Sequence, residues 1–267
     1  MNYGWDGGPV QIDPTMPGGE CSDSAKLVYL VDENGDLLSF KPDTLTFTKI
    51  GVLSCPASLG STPFSMGVDR TPTAWVLYNS GELFKVSTEN ASCQATTYVP
   101  GQKNLLLFGM GFASNVSGST DETLYIAGGP DSANMTPTSE FGTLGMPSLT
   151  VSKKGVVTGW PELTGTGEGN LWGFYPSVTA PRVGQIDKSN GGEGTVFPLA
   201  TLAGQPAAWA FAHWGGDFWV FLARDIDPST TVYKVNGQTG AVGAALPNTG
   251  RMIVGAGVST CAPTTIM

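Results

Sequence analysis

Charge is scarce in this chain, and its balance excludes one class of partner. Charged residues make up 13% of the 267 residues, against roughly 25% in an ordinary soluble domain. The 13 Lys and Arg residues are outnumbered by 22 Asp and Glu residues, which gives a net charge of −9. Because an acidic surface repels phosphate backbones and no cluster of Lys and Arg stands out, nucleic acid is not an expected partner.

Metal ligands and nucleotide-binding motifs are also lacking. The chain has one histidine, His213, and four cysteines that form no CxxC pair, so a zinc site has neither the ligands nor the spacing that it needs. Neither a Walker-type phosphate loop nor a GxSxG nucleophile motif occurs. We therefore expect no metal and no cofactor.

Long apolar runs and helical periodicity are missing as well. No apolar run reaches the 18 or so residues that span a membrane, and no stretch of ten residues keeps a helical apolar period. The segment MNYGWDGGPVQ at the start has neither the basic nor the apolar part of an export signal. Disulfides are the better interpretation of the four cysteines, and they indicate an oxidising compartment. We expect a secreted, periplasmic or cell-surface protein whose export signal lies outside this sequence.

Short β-strands and turns fill the chain instead. It holds 37 glycines and 19 prolines, and apolar residues alternate along many short stretches that end at Gly, Asn, Asp or Pro. One pattern recurs five times: two alternating apolar positions, a turn, and a further β-prone stretch. The copies are LLSFKPDTLTFTKIG from 37, LFKVSTENASCQATT from 83, LTVSKKGVVTGW from 149, VGQIDKSNGGEGTV from 183 and VYKVNGQTGAV from 232. A further strand with a hairpin turn precedes most copies.

A second repeated element marks the predicted innermost strand of each unit. It reads FSMGVDR at 64–70 and FGMGFAS at 108–114, and its relatives are LWGFYPS, FAHWGGD and IVGAGVS. Its glycine allows strands to approach closely near an axis, where a Cβ atom would clash. The first unit lacks this element, whereas a spare copy stands at 253–259, close to the C-terminal end.

This arrangement resembles β-propellers whose ring is closed by pairing of the first and last strands. The resemblance covers about 26–260 and rests on pattern, because neither the WD dipeptide nor the kelch double glycine is present. It implies an all-β fold, a five-bladed β-propeller of four-stranded antiparallel blades in which the C-terminal strand completes the N-terminal blade. We expect one domain over 21–262, with 1–20 as a tail or linker. Four or six blades remain alternatives, because 162–200 can hold a degenerate unit or an insertion.

Closure of such a ring implies a pairing of the cysteines. Cys21 precedes the first strand and Cys261 follows the last one, so closure brings them together, while Cys55 and Cys93 fall on adjacent outer rims. Of the three possible connectivities we therefore predict Cys21–Cys261 with Cys55–Cys93. The stretch 131–147 is too long for a hairpin turn, and we predict a loop over one face there.

Aromatic residues supply candidates for ligand binding. Trp172, Tyr175 and Trp214 lie at or near the ends of predicted inner strands, where an exposed ring can stack on the apolar face of a sugar. His213 lies on a predicted inner strand, and a hydrogen-bonded channel residue is a better interpretation of it than an acid–base catalyst. Five-bladed lectins of the tachylectin type are similar in architecture, but their units are nearly identical. Since these units have diverged, we expect one or two sugar sites rather than five.

Paired carboxylates are the enzymatic alternative. Five-bladed glycoside hydrolases resemble this architecture and place an Asp nucleophile in blade 1 and a Glu acid near the middle of the chain, yet IVGAGVS, the inner strand of blade 1, has no acid. The nearest candidates are Asp69 and Asp217, with Glu122 at the start of a strand and Glu168 in a loop. The structural interpretation of Asp69 is a turn residue, paired with Arg70.

Three functions follow from these patterns. The leading one is a non-catalytic, lectin-like recognition domain outside the cytoplasm, a monomer that binds a glycan or a protein through one face or its channel. The alternative is an enzyme that acts on glycosides with carboxylates in the channel. The third is a structural scaffold without a small ligand, which a channel plugged by Met66, Met110 and Trp214 would favour.

Overall fold

Alternating apolar residues and closely spaced turns fold the chain into a succession of antiparallel hairpins. The computed structural model describes residues 21–130 and 137–265. The described residues form twenty β-strands and three short 3-10 helices, at Ser24–Lys26, Gln102–Asn104 and Ala200–Leu202. The predicted tail at 1–20 lies outside the described residues.

The strands follow one another along the chain without long interruptions. The first eleven are β1 (Val28–Asp32), β2 (Asp36–Lys41), β3 (Thr46–Val52), β4 (Pro63–Val68), β5 (Thr73–Tyr78), β6 (Leu83–Ser87), β7 (Cys93–Ala95), β8 (Leu107–Ser114), β9 (Glu122–Gly129), β10 (Thr138–Gly145) and β11 (Thr150–Thr158). The other nine are β12 (Glu162–Gly165), β13 (Leu171–Tyr175), β14 (Arg182–Ile186), β15 (Glu193–Pro198), β16 (Pro206–Trp214), β17 (Asp217–Arg224), β18 (Thr231–Asn236), β19 (Val242–Leu246) and β20 (Ile253–Val258).

These strands form five sheets of four antiparallel strands each. Blade 1 is β20-β1-β2-β3, and blades 2 to 5 are the consecutive sets β4 to β7, β8 to β11, β12 to β15 and β16 to β19. The first strand of each blade contacts the first strands of the two neighbouring blades, in the closed order β20, β4, β8, β12, β16 and back to β20. We call these five strands the inner ring. The chain is thus a five-bladed β-propeller, as its sequence predicted.

The ring closes through strands from opposite ends of the chain. β20 pairs with β1, with Val258 opposite Val28 and Ala256 opposite Leu30. Nearby, the Ser259 hydroxyl donates to the Ala25 carbonyl oxygen at 2.7 Å. This pairing removes the open sheet edge that blade 1 would otherwise present.

Glycines let the inner ring close tightly. A Cβ atom on Gly111 of β8 would lie 2.9 Å from the carbonyl carbon of Leu163 in β12, and one on Gly257 of β20 would lie 2.9 Å from the amide nitrogen of Val68 in β4. Real Cβ contacts with backbone are longer than this, so the repeated Met-Gly element marks the positions where neighbouring blades approach most closely.

The apolar core lies between the blades rather than inside any one of them. Five buried clusters occur in the described residues, and each combines side chains of two neighbouring blades. Between blades 5 and 1, for example, the rings of Phe40 and Phe221 meet edge to face at 5.6 Å. Because no sheet can bury its apolar faces alone, each blade depends on both neighbours.

Both predicted disulfides are present. Cys21 is bonded to Cys261, with 5.7 Å between the Cα atoms, and Cys55 is bonded to Cys93, with 4.9 Å between the Cα atoms. The first bond ties the strand pair that closes the ring, and the second ties the outer parts of blades 1 and 2.

Blade 4 corrects one expectation. LWGFYPS was predicted as an inner strand, but Leu171–Tyr175 is the second strand of its blade, and the inner strand is Glu162–Gly165. This inner strand lacks the Phe-x-Met-Gly pattern and was therefore missed. Its close approach depends on Gly165 instead, where a Cβ atom would lie 2.7 Å from the Cα atom of Ala113.

Blade 3 corrects two more. The predicted loop at 131–147 contains β10 over residues 138–145, and 131–136 lie outside the described residues. LTVSKKGVVTGW was predicted as two strands and a turn, but it is the single strand β11. The residues read as its turn form a bulge, since Phe141 pairs with Gly155 while Gly142 pairs with Lys153.

No helix in the described part of the chain is long and apolar enough to cross a membrane.

Replacing both Cys21 and Cys261 by serine should lower the free energy of unfolding by about 4 to 5 kcal/mol, because the bond closes a loop of nearly the whole ring. Replacing Cys55 and Cys93 should cost less, about 3 to 4 kcal/mol, because their loop is shorter. Guanidinium unfolding followed by tryptophan fluorescence measures both losses. An equal or smaller loss for the closing pair would contradict this account.

Candidate functional site

A buried carboxyl group crosses the inner ring. Glu162, at the start of β12, is 3% exposed. Its Oε2 accepts a hydrogen bond of 2.9 Å from the hydroxyl of Ser65 on β4, and its carboxyl group is also hydrogen-bonded by the backbone of Met110 on β8. One side chain thereby connects the inner strands of blades 2, 3 and 4.

The environment of Glu162 favours its neutral form. Burial raises the pKa of this carboxyl well above its usual value, and the hydrogen bonds from Ser65 and Met110 oppose that rise only in part. The side chains of Met66 and Met110 belong to the cores between blades, and Trp214 packs between blades 5 and 1. Glu162, rather than these three residues, is the side chain that links three inner strands by hydrogen bonds.

His213 is a packed residue near the end of β16. It is 8% exposed, and its ring meets that of Phe218 edge to face at 5.4 Å. Burial lowers the pKa of His213 to about 4, although the nearby Asp217 carboxylate acts in the opposite direction. Its imidazole is therefore neutral at pH 7, and its backbone N–H donates to the Thr164 hydroxyl of the next inner strand at 3.0 Å.

Three blades meet at a polar junction on one face of the ring. Glu122 Oε1 accepts a 2.7 Å hydrogen bond from the backbone N–H of Arg70. Glu122 Oε2 accepts a 2.8 Å bond from the hydroxyl of Thr260, which follows the closing strand β20. The Arg70 guanidinium donates to the same hydroxyl at 3.3 Å. Burial raises the pKa of Glu122, and the nearby Asp69 charge adds to the rise, whereas the two hydrogen bonds that Glu122 accepts and the Arg70 charge act in the opposite direction.

Beside this junction, blades 2 and 3 border an open cavity of about 590 Å³, which we call the interblade cavity. Its volume is in the range of small-molecule sites. Its lining combines charged, hydroxyl and apolar side chains. They are Asp69, Arg70, Thr71, Trp75, Lys85, Ala95, Thr96, Thr97, Phe112, Thr120, Glu122, Met146, Pro147 and Leu149.

Trp75 and Lys85 form one wall of the interblade cavity. They face each other on the paired strands β5 and β6, and the Lys85 ammonium lies over the Trp75 ring, 5.1 Å from its centroid. The indole N–H of Trp75 donates to Asp69 Oδ2 at 3.0 Å. Because Trp75 is 7% exposed, Lys85, whose side chain is exposed, is the more accessible group.

The aromatic candidates from the sequence lie elsewhere. Trp172 packs in the core between blades 4 and 5, with its ring 4.9 Å from that of Phe218. Tyr175 is 2% exposed and lies under the Arg182 guanidinium, 4.1 Å from it. The Trp214 indole N–H donates to the Lys26 carbonyl oxygen at 2.8 Å. The structure does not bring these rings together around one cavity.

The two carboxylate candidates belong to different blades and have different partners. Asp69 lines the interblade cavity and caps its own turn, with Oδ1 accepting from the Thr71 and Thr73 backbone N–H groups at 3.0 Å each. Asp217, at the start of β17 in blade 5, forms an ion pair of 2.8 Å with Lys234. The turn role expected for Asp69 agrees with these contacts.

Sequence reasoning missed Glu162, Trp75 and Lys85. The inner strand that carries Glu162 has only four residues and no aromatic marker, so nothing in the sequence singled it out. The pairing of Trp75 with Lys85 was within reach, because the NSGE turn at 79–82 fixes the hairpin register and places them opposite each other.

No protein-family model matches this chain, and a comparison with curated protein sequences finds no significant relative.

Solved structures do resemble it in fold. A chain of the crystal structure of a nidogen/laminin complex matches 90% of this chain and 99% of its own length, with a TM-score of 0.52 and 10% identity. TolB from Acinetobacter baumannii matches 85% of this chain with a TM-score of 0.50 and 11% identity, over 54% of its own length. At such identities the similarity supports the propeller architecture and nothing finer.

The histidine should make stability depend on pH. Since the pKa of His213 is lowered from 6.5 to about 4 in the folded protein, its contribution is complete above pH 6.5 and is lost as the pH falls towards 4. The loss is at most about 3 kcal/mol. His213→Gln should flatten this part of the curve of unfolding free energy against pH, measured with urea between pH 4 and 7. An unchanged slope in the variant would contradict the lowered pKa.

Glu162 should act in the opposite direction. Its raised folded pKa means that its contribution is complete below the unfolded value of 4.5 and is lost as the pH rises towards the folded value. Glu162→Gln should therefore gain stability relative to the wild type as the pH increases from about 4.5. Glu168→Gln, in an exposed loop, is the control for the loss of one glutamate side chain. The same urea series reports both differences.

Proposed function

We propose that this protein is a non-catalytic recognition domain that works outside the cytoplasm and binds a glycan or a protein in the interblade cavity. The two disulfides are consistent with an oxidising location, and the propeller scaffold is one on which many binding functions are built. The protein is expected to act as a monomer.

This proposal depends on one observation: the cavity is open to solvent, whereas its two carboxylates accept hydrogen bonds from groups of the protein itself. Asp69 accepts hydrogen bonds from its own turn and from Trp75. Glu122 accepts one from Arg70 and one from Thr260. A glycosidase needs one carboxyl free to protonate the leaving group and another free to attack or to activate water. Here both groups hold the walls of the site, so the enzymatic alternative has less support.

The centre of the ring supports the same conclusion. Glu162 is engaged by Ser65 and Met110 and is almost completely buried, so a substrate has no access to its carboxyl group. The sugar-stacking hypothesis for Trp172 and Trp214 stands beside the present proposal as a separate site, and it enters the test below as its own arm.

The test is a binding screen with a variant that fills the cavity. Wild-type protein is tested on a glycan array and against an extracellular protein library, with Thr97→Arg, which places a bulky side chain at the exposed rim. Thr195→Arg on β15, also exposed, is the matched control. We expect a ligand whose binding falls at least about tenfold in Thr97→Arg and is retained in Thr195→Arg.

Two results would overturn the proposal. Binding that survives Thr97→Arg but is lost in Trp172→Ala or Trp214→Ala would move the site to the other rings. Release of a hydrolysed sugar during incubation, abolished by Asp69→Asn or Glu122→Gln, would establish the enzyme instead.

A further inference from the structure

Two blades carry the same pair of side chains in different electrostatic settings. In blade 2, TAWVLY begins at residue 73 and Trp75 faces Lys85 on the next strand. In blade 5, DFWVFL begins at residue 217 and Trp219 faces Lys234. Each ammonium lies over its indole ring, at 5.1 Å in blade 2 and 5.7 Å in blade 5. When blades 2 and 5 are aligned on these tryptophans, the residues around the two pairs can be compared position by position.

The two lysines differ in whether a carboxylate pairs with them. In blade 5, Asp217 stands two positions before the tryptophan, on the same side of the strand, and pairs with Lys234 at 2.8 Å. In blade 2 the corresponding residue is Thr73, and no carboxylate of the described residues lies within 4.0 Å of the Lys85 ammonium. Lys85 therefore holds a cation over an aromatic ring without the anion that its counterpart has.

Of these two Trp–Lys pairs, the one in blade 2 lines the interblade cavity and the one in blade 5 does not. The carboxylates of that cavity, Asp69 and Glu122, are already engaged by protein donors. Arg70 adds a second positive charge to the lining. Arg70 is partly buried and donates to Thr260, so the most exposed positive charge of this cavity is the ammonium of Lys85.

We propose that the interblade cavity binds an acidic saccharide of the uronic acid type, whose carboxylate pairs with Lys85 as Asp217 pairs with Lys234. This inference rests on the proposed function and names the ligand class of the same site. Charge-assisted pairs between ammonium and carboxylate are among the stronger polar contacts in proteins.

The remaining lining favours a sugar over an acidic peptide. Thr97 and Thr120 present exposed hydroxyl groups, which can exchange hydrogen bonds with sugar hydroxyls because each is both donor and acceptor. Met146, which is 39% exposed, offers apolar contact to a pyranose face. The side chain of Asp or Glu brings a carboxylate but no hydroxyl group to match these threonines.

The test uses acidic saccharides and their neutral counterparts. Oligomers of galacturonic, glucuronic and mannuronic acid are titrated into the oxidised protein by calorimetry, together with the same oligomers after reduction of their carboxyl groups to alcohols. A short Glu-containing peptide is the third probe. We expect binding of at least one acidic oligomer, about tenfold weaker binding of its reduced form, and weaker binding at high salt.

Three variants separate the role of Lys85 from general effects. Lys85→Met keeps the stem and removes the charge, and should weaken binding of the acidic oligomer about tenfold while leaving that of the reduced oligomer unchanged. Thr73→Asp supplies blade 2 with the acid found in blade 5, and should weaken binding in the same way by neutralising Lys85. Lys234→Met is the matched control in blade 5 and should bind like the wild type.

The outcomes distinguish this inference from the function on which it rests. Equal affinity for acidic and reduced oligomers, insensitive to Lys85→Met but lost in Thr97→Arg, would overturn the acidic ligand and keep the recognition site. Binding of the peptide alone would overturn the saccharide. Binding of an acidic oligomer that survives both Lys85→Met and Thr73→Asp would overturn the site itself, and no binding of any acidic oligomer would overturn the inference.

Discussion

The pairing of β20 with β1 is the contact on which the rest of the molecule depends. All five apolar clusters lie between blades, so each blade needs two neighbours, and blade 1 has its inner strand only if the chain returns to it. The closed inner ring follows from this return, because it needs five strands around one axis. The same return places Thr260 against Glu122, beside the interblade cavity. Closure of blade 1 thus provides a hydrogen bond to a residue that lines a cavity between blades 2 and 3.

How far the sequence predicts this structure depends on how local each signal is. The five blades, their closure and both disulfides were predicted from apolar alternation, turn residues and the Met-Gly element. A strand pattern that occurs five times can be recognised by comparing its copies with one another. Two strands were not predicted correctly, one on the inner ring and one at the outer edge of blade 3, and for the same physical reason. Glu162–Gly165 is short and unmarked, and Lys154 is the extra residue of a bulge that looks like a turn. Neither is determined by local propensity, since both depend on contacts with a neighbouring strand.

The candidate site was less predictable than the fold. Of the six ligand candidates, Asp69 lines the interblade cavity, while the buried or packed rings of Trp172 and Tyr175 serve the blade cores. An aromatic residue on a propeller strand usually belongs to the apolar core. The sequence alone does not show which ring lies beside an exposed polar side chain. Comparison of repeats does better: Trp75–Lys85 and Trp219–Lys234 are equivalent pairs, but Asp217 forms an ion pair with Lys234, whereas in blade 2 the carboxylate of Asp69 accepts from the indole of Trp75 instead.

The disulfide beside the closing strands also has a mechanical consequence. The chain enters the ring at Cys21 and leaves it at Cys261, and their Cα atoms are 5.7 Å apart. Tension applied through the flanking segments would therefore be carried by a covalent bond before it reached any hydrogen-bonded strand. A propeller tethered in this way can transmit a pull from one side of the bond to the other while its blades bear no load. Under reducing conditions the same pull would peel β20 from β1, the one step that opens the ring.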